Sequence, residues 1–348
     1  MANLQSYFNS FHDNIKLSYD DNKVLRDKRD ELLEFLKENM PEGVTSPEIF
    51  HQGSYAMYTG IKPFEDGDYD IDVGLFFDIS KDDYENPVTA KKWVYDALKD
   101  EYPNIEMKKP CVAVKFESEE EENNNHYHVD FTIYAAKSSE TKIFLAKGKL
   151  SSNSENRCWE ESDPKELVNK IKTHLTEEKE REQFRRVIRY LKRWKDIKFK
   201  GIVNRPTGIG LTVAGLTHFN AKYDYDYFTN TKTYKDLEAL EAFVQNMINA
   251  FTHVFNATDE EWEERLKVYL PTAPYNDIYE KMSGIQMKSF KEKLQTLLEN
   301  LQKARDEVDP VEGCKILAIE FGDDFPIPEE SVTAQKRGPA MLVDHSSA

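Results

Sequence analysis

The chain has few cysteines and no long hydrophobic run. Its 348 residues include three cysteines, Cys111, Cys158 and Cys314, whose spacing fits neither a disulfide framework nor a zinc site. No stretch of about 18 apolar residues predicts a transmembrane helix, and the N-terminal residues lack the apolar core of a signal peptide. These absences predict a cytoplasmic protein without a membrane partner.

Basic residues are in the minority. Lys and Arg number 47 against 64 Asp and Glu, which gives a formal net charge of −17. A protein that binds duplex nucleic acid needs a basic surface to release counterions, so we expect no such partner. The 39% hydrophobic and 12% aromatic content is that of a folded protein. The length allows two domains, and the composition favours an enzyme with small-molecule substrates.

One predicted strand, Tyr69 to Phe77, carries a row of carboxylates. Its odd positions are apolar, while Asp68, Asp70 and Asp72 occupy even positions, an alternation typical of a half-buried strand. Successive carboxylates on one face lie roughly 7 Å apart and repel each other. A hard cation such as Mg²⁺ would explain the row, because Mg²⁺ prefers oxygen ligands. The alternative is a solvated acidic strand edge that resists aggregation.

A second predicted strand, HYHVDFTIYA, carries a further carboxylate. Its apolar face runs from Tyr127 to Ile133, which leaves Asp130 on the polar face. An isolated carboxylate on a central strand is costly unless it is paired or metal-bound, so Asp130 is predicted to be a third metal ligand. His126 and His128 share its face but are set aside, since such histidines are more often only hydrogen-bonded.

The segment Gln52-Gly53-Ser54 precedes the acidic strand. A Gly-Ser pair at a helix entry lets backbone N–H groups and a hydroxyl approach a phosphate. Most isolated Gly-Ser pairs are turns or helix caps, so this prediction depends on the carboxylates that follow.

A helix predicted over residues 178–200 carries the concentrated basic patch of the chain. Arg185, Arg189 and Lys192 share one face. Most of these residues are expected to form a solvated helix face. A cation that faces the acidic strand across a cleft would instead hold a triphosphate.

The rest of the chain is predicted to be mainly helical. Helices are expected over residues 1–40, 55–58, 86–101, 213–219 after a glycine-containing loop at 204–212, 237–255 and 287–304, with a further strand at 112–116. Loops are expected at 117–125, at 137–165 between the lobes, and at 269–279.

Three carboxylates on neighbouring strands, a phosphate-binding turn and a basic helix indicate two-metal phosphoryl or nucleotidyl transfer. Two divalent ions about 4 Å apart can stabilise the attacking and leaving oxygens of an in-line displacement. Asp70 and Asp72 would bridge both ions, and Asp130 would bind the ion that activates the attacking hydroxyl.

These motifs resemble a known superfamily. The pattern GS, DxD and a distant third Asp is similar to the nucleotidyltransferases of the polymerase β fold. Gln52-Gly53-Ser54, Tyr69-Asp70-Ile71-Asp72-Val73-Gly74, Tyr190-Leu191-Lys192-Arg193-Trp194 and Phe321-Gly322-Asp323-Asp324-Phe325-Pro326 resemble the bacterial cGAS/DncV-like nucleotidyltransferases, or CD-NTases.

The resemblance implies an α+β fold with two parts and the active site in the cleft between them. A polymerase β-like core, with a mixed sheet and bracing helices, is predicted over residues 1–165. A helical domain is predicted over 166–328, followed by a flexible tail at 329–348.

The resemblance also implies roles for individual residues. Gln52, Gly53 and Ser54 would bind the donor triphosphate. Asp70, Asp72 and Asp130 would be catalytic and would hold two Mg²⁺ ions, with Mn²⁺ as a substitute. These roles would shift to the pair Asp68 and Asp70 if the DxD motif began two residues earlier.

Two further residues are carried over from the family. Lys192 would contact phosphates. Thr207 would lie near the nucleotide, at a position where the family often has serine.

The implied activity is the joining of nucleoside triphosphates, with ATP among them, into a cyclic di- or trinucleotide. In antiphage signalling this product would activate a separate effector. The tail, which ends at Ala348, is compatible with attachment to targets by a ubiquitin-like conjugation system. The rival hypotheses are transfer to a tRNA end or a protein hydroxyl, and an inactive nucleotide-binding sensor.

Overall fold

The computed structural model of the chain combines a mixed seven-stranded sheet with ten helices in its described part, which comprises residues 3–17, 19–65, 67–116, 126–257 and 260–329. The helices are α1 (Gln5–Ile15), α2 (Tyr19–Asn39), α3 (Gly53–Ala56), α4 (Val88–Leu98), α5 (Pro164–Thr173), α6 (Glu178–Lys198), α7 (Gly208–His218), α8 (Asp236–Asn249), α9 (Gly284–Asp306) and α10 (Pro310–Phe321). The strands of the large sheet are β1 (Glu48–Gln52), β2 (Tyr69–Phe77), β3 (Ile105–Met107), β4 (Val112–Phe116), β5 (Tyr127–Ala135), β6 (Phe144–Lys147) and β7 (Cys158–Glu161). Two separate hairpins are formed by β8 (Tyr223–Asp226) with β9 (Thr231–Tyr234) and by β10 (Thr252–Asn256) with β11 (Glu261–Arg265).

The large sheet brings the two acidic strands side by side. Its main order is β1-β2-β5-β4-β3, and β6 extends it from one end of β5 toward β7. Only β2 and β5 pair in parallel within this sheet as described. Neighbours in register point to the same face, so the polar face of β2 continues directly into that of β5.

The described residues form two hydrophobic cores. One lies between the sheet and helices α2 and α4, around Ile71, Val94 and Phe131. The other is helical and gathers residues from α6 to α10. Helix α1 belongs to the second core, because Phe8 and Phe11 pack against aromatic rings of α6 and α10. The division of the chain at residue 165 stays a prediction.

Helix α6 is amphipathic, and its apolar stripe fixes its orientation. Phe184, Val187, Ile188, Leu191 and Trp194 are all buried in the helical core. These positions recur at the spacing of one helical face. Arg189 and Lys192 lie on another face, which contacts residues 58–60, whereas Arg186 pairs with Asp236 of α8.

Several sequence expectations were wrong. Residues 137–165 are not only loops, because β6 and β7 extend the sheet there. The helix expected over 237–255 ends at Asn249, and the next residues form β10. Residues 1–40 contain two helices that contribute to different cores. The expected loop at 117–125 and nearly all of the tail lie outside the described residues.

The α+β architecture with a mixed sheet and a C-terminal helical region is confirmed. In the described ranges, no helix combines the length and the apolar character needed to cross a bilayer.

Candidate active site between the sheet and the helical region

A cavity of about 1070 Å³ lies between the polar face of the sheet and helices α6 and α7. It is large for a small-molecule site, since such sites span roughly 300–1,000 Å³. Seven of the eight predicted site residues line it: Gln52, Gly53, Ser54, Asp70, Asp72, Asp130 and Lys192. The turn, the acidic strands and the basic helix therefore face one space.

The register of β2 against β5 brings the carboxylates together. Asp72 pairs with Asp130, and Asp70 pairs with His128. Asp70 is exposed, whereas Asp72 and Asp130 are half-buried. Three carboxylates thus share one patch of the sheet at the wall of the cavity.

The clustered charges change the acidity of the β2 carboxyl groups. The pKa of Asp72 is raised to about 7, first by burial and then by the negative charges of Asp130 and Asp70. The pKa of Asp70 is also raised, first by the loss of water around its carboxyl group at the cavity wall and then by Asp130. The site therefore disfavours the ionised forms of Asp70 and Asp72, which a nearby positive charge would stabilise.

Gly53 lets the Gln52-Gly53-Ser54 turn approach Asp72. Its φ is +67°, and an added Cβ would lie 1.8 Å from Oδ2 of Asp72. Helix α3 begins at this glycine, and Ser54 follows in its first turn at the cavity wall. Gln52, which precedes the turn, has both amide ends engaged: Nε2 donates to Oγ1 of Thr132 at 2.6 Å, and Oε1 accepts from the Tyr134 hydroxyl at 3.1 Å.

Asp130 has two neighbours on the loop before β4. Nζ of Lys108 lies 3.5 Å from Oδ1, and the Cys111 thiol donates to Oδ2 at 3.4 Å. The loop is held by the fully buried Lys91, whose Nζ donates to the carbonyl oxygens of Lys108, Lys109 and Gly148 at 2.5, 3.0 and 2.6 Å.

Replacing Lys91 by methionine is expected to lower the free energy of unfolding by about 3 kcal/mol, because three carbonyl oxygens, of which that of Gly148 is buried, lose a charged donor. Urea denaturation measures this. Lys92→Met is the matched control, since Lys92 is exposed and its ion pair with Asp96 at 3.8 Å contributes little. Equal stabilities of the two variants would contradict the anchoring role of Lys91.

His128 takes part in this site although the sequence argument set it aside. Its Nε2 lies 2.9 Å from Oδ2 of Asp68, and its Nδ1 lies 3.7 Å from Oδ1 of Asp70. The sequence signal that could have predicted this role was the position of His128 two residues before Asp130, on the same face of the strand. Asp68 precedes β2 and is engaged by this histidine, whereas Asp72 is in register with Asp130.

Comparisons with known proteins agree with this geometry. Residues 47–134, which contain the turn and all three carboxylates, match the family described as the nucleotidyltransferase domain of DncV-like cyclic GMP-AMP synthase. This part of the chain is therefore similar to the nucleotidyltransferase domain of the DncV-like enzymes.

Individual CD-NTases match to different extents. A cyclic GMP-AMP synthase of Escherichia albertii is 31% identical over 182 residues, which are 50% of this chain but 37% of that relative's length. Vibrio cholerae DncV, a cyclic AMP-GMP synthase, superposes with a TM-score of 0.64 at 18% identity and covers 93% of this chain and 97% of its own. CdnG of Bradyrhizobium diazoefficiens, solved with GTP, gives 0.67 at 14% identity and covers 92% and 96%. At these identities the two structures show a common fold.

Nucleotidyltransferases are generally metal-dependent. Among the described residues, no three His, Cys, Asp or Glu side chains are already arranged around a metal position. The donor set still fits a hard divalent cation, because it consists of carboxylate oxygens, and burial followed by mutual repulsion raises the pKa of Asp70 and Asp72.

Lys192 and Thr207, whose roles the family resemblance implied, differ in their position relative to the cavity. Lys192 lines the cavity but is 7% exposed, and its Nζ donates to the carbonyl oxygen and hydroxyl of Thr59 at 2.8 and 3.0 Å. Burial lowers the pKa of Lys192 to about 7. Thr207 lies outside the cavity lining and caps α7, where Oγ1 accepts from the Gly210 N–H at 3.1 Å. Its neighbour Gly208 reaches the cavity instead.

Proposed function

We propose that this protein is a Mg²⁺-dependent nucleotidyltransferase that joins nucleoside triphosphates into a cyclic di- or trinucleotide and releases pyrophosphate. The observation that carries the proposal is the pairing of Asp72 with Asp130 beside the Gly53-Ser54 turn, inside one large cavity. The similarity of residues 47–134 to the nucleotidyltransferase domain of DncV-like cyclic GMP-AMP synthases supports the same reaction.

In this proposal the chain's own residues bind and orient the reactants. Asp70, Asp72 and Asp130 hold two Mg²⁺ ions, for which Mn²⁺ can substitute. When bound, the ions supply Lewis-acid stabilisation of the charge on the reacting phosphate. Ser54 and the backbone of the turn bind the donor triphosphate.

The bond changes follow an in-line displacement. The sugar hydroxyl oxygen of one nucleotide forms a bond to the α-phosphorus of the other, and the bond from that phosphorus to the bridging oxygen breaks as pyrophosphate leaves. Asp130 accepts the hydroxyl proton and passes it to solvent. A second transfer within the linear product closes the ring.

The biological setting is proposed from the family. A cyclic nucleotide product would activate a separate effector protein in defence against phage. Conjugation of the tail by ubiquitin-like machinery also stays a prediction, since residues 330–348 lie outside the described structure.

Incubation of the purified protein with four labelled nucleoside triphosphates and Mg²⁺ or Mn²⁺ tests the reaction. We expect a phosphatase-resistant product that is absent for the Asp70→Asn/Asp72→Asn variant. Omission of one base at a time names the substrates. Release of pyrophosphate without a resistant product would replace this proposal with linear synthesis or a macromolecular acceptor. Triphosphate binding without any turnover would favour a nucleotide sensor.

A further inference from the structure

Two residues of the basic face of α6, Arg189 and Lys192, donate hydrogen bonds to main-chain carbonyl groups. Arg189 donates from Nε to the carbonyl oxygen of Gly60 at 3.0 Å and from a terminal nitrogen to that of Tyr58 at 2.5 Å. Lys192 donates to the carbonyl oxygen of Thr59 at 2.8 Å. One turn of the helix therefore holds three successive residues, 58 to 60, of the segment between α3 and β2.

The same contact continues one residue further along the helix. Arg193 donates to the carbonyl oxygens of Lys62 and Pro63 at 3.0 and 3.5 Å. Residues 58–63, the clamped loop, form no strand pairing apart from a single bridge between Ile61 and Lys16. Buried carbonyl groups outside regular structure need donors from elsewhere, and α6 supplies them.

The clamp is buried at its centre. Lys192 is 7% exposed, Arg193 is 2% exposed and Thr59 is fully buried. Arg193 is paired with Asp324, whose Oδ2 lies 3.1 Å from its Nε, whereas Lys192 donates to the neutral oxygens of Thr59. Burying a lysine among neutral groups is costly, so the place of Lys192 beside the turn calls for a further role.

Thr59 links the clamp to that turn. Its N–H donates to the carbonyl oxygen of Ser54 at 2.9 Å, while its carbonyl oxygen and hydroxyl both accept from Lys192. A shift of Thr59 would move the main chain at Ser54. The chain of contacts runs from α6 through one threonine to the serine that faces the cavity.

We propose that Arg189, Lys192 and Arg193 are positioning residues that hold the clamped loop, and that Thr59 transmits this restraint to Ser54. The inference rests on the proposed binding of a triphosphate at Ser54. It assigns Lys192 an indirect role, through Thr59, in place of direct contact with phosphate. The helical region thereby sets the position of a binding element that belongs to the sheet region.

The test measures binding of a non-hydrolysable ATP or GTP analogue with Mg²⁺ by titration calorimetry. Thr59→Val is expected to weaken affinity about tenfold, because loss of the hydroxyl loosens the Lys192 contact. Thr59→Ser keeps a hydroxyl and is expected to bind like the wild type. In a Ser54→Ala background, Thr59→Val is expected to cost little more, since residues that act through one contact are not additive.

An equal loss from Thr59→Val in both backgrounds, or no loss in either, would overturn the inference while leaving the proposed function intact. Absence of analogue binding by the wild-type protein would instead remove the proposed function and this inference with it.

Arg189→Met and Arg181→Met form a matched pair on one helix. Arg181 also donates to two backbone carbonyl oxygens, those of Leu175 and Thr176 at 2.7 and 2.8 Å, which lie between α5 and α6 and not in the clamped loop. Each variant loses two hydrogen bonds to carbonyl oxygens, and Arg181→Met also loses an ion pair with Glu178, so thermal melts record the structural cost of each change. Only Arg189→Met is expected to weaken analogue binding, by about tenfold. Equal affinities would show that the Arg189 contact is merely structural and would overturn its assignment.

Discussion

Gly53→Ala is expected to abolish triphosphate binding and nucleotidyl transfer. The added methyl group would lie 1.8 Å from Oδ2 of Asp72, so either the turn or the carboxylate must move. The backbone also has a φ of +67°, which alanine adopts at a cost of about 1 kcal/mol. The displaced groups form the predicted metal and phosphate sites. We therefore expect activity to fall by at least about a hundredfold, since displacement of a reacting group by about 1 Å can lower the rate by this factor.

Gly201→Ala separates backbone strain from displacement. Gly201 has a similar φ of +72°, but an added Cβ would meet no atom within 4 Å. This variant is expected to lose a little stability and to keep its activity. Comparable activity of the two variants in a product assay would contradict the crowding of Asp72 as the cause.

Asp72→Asn is expected to lower kcat about a thousandfold and to stabilise the metal-free fold. The loss of activity corresponds to the several kcal/mol of charge stabilisation that a metal-bound carboxylate supports. The gain in stability follows from the pKa of Asp72, which burial raises to about 7. With EDTA at pH 8, the wild-type protein must keep this carboxylate ionised in its folded state, whereas asparagine carries no charge.

The gain should depend on pH in a defined window. A carboxyl group whose folded pKa is raised loses its stabilising contribution as the pH rises from about 4 to about 7. We expect Asp72→Asn to be more stable than the wild type by about 2 kcal/mol at pH 8 and to match it near pH 4. The gain is smaller than the full pKa shift of Asp72 implies, because its side chain is half-buried and partly solvated. Urea denaturation with EDTA at both pH values measures this. Asp100→Asn, an exposed control, removes the same charge and should show no such window.

The acidic strands were predictable because a strand has a period of two. Alternation alone placed Asp70, Asp72 and Asp130 on polar faces and Ile71, Val73 and Phe131 in the core. The parallel pairing that opposes Asp72 to Asp130 is set by tertiary contacts, and the sequence analysis predicted neighbouring strands without their direction or register. The mixed fold was predicted correctly, apart from short elements.

The errors have physical reasons. Strands β6 and β7 have four residues each and include charged side chains, so their pattern does not stand out from a polar loop. Helical periodicity revealed that Arg189 and Lys192 share a face, but it carries no information on the partner of that face. Every residue has a backbone carbonyl group, so a sequence pattern does not indicate which of them accept hydrogen bonds from α6. The structure is needed to identify these contacts.

The place of α1 bears on how the molecule can be divided. Phe8 and Phe11 fill the helical core against Tyr190 and Phe321, although they are separated from those residues by the entire sheet region in sequence. A fragment that starts near residue 166 would therefore expose an aromatic groove and would be prone to aggregate. Proteolytic cleavage between α1 and α2 should leave both pieces associated. Removal of the first fifteen residues should lower the stability of the C-terminal helical core more than that of the sheet region.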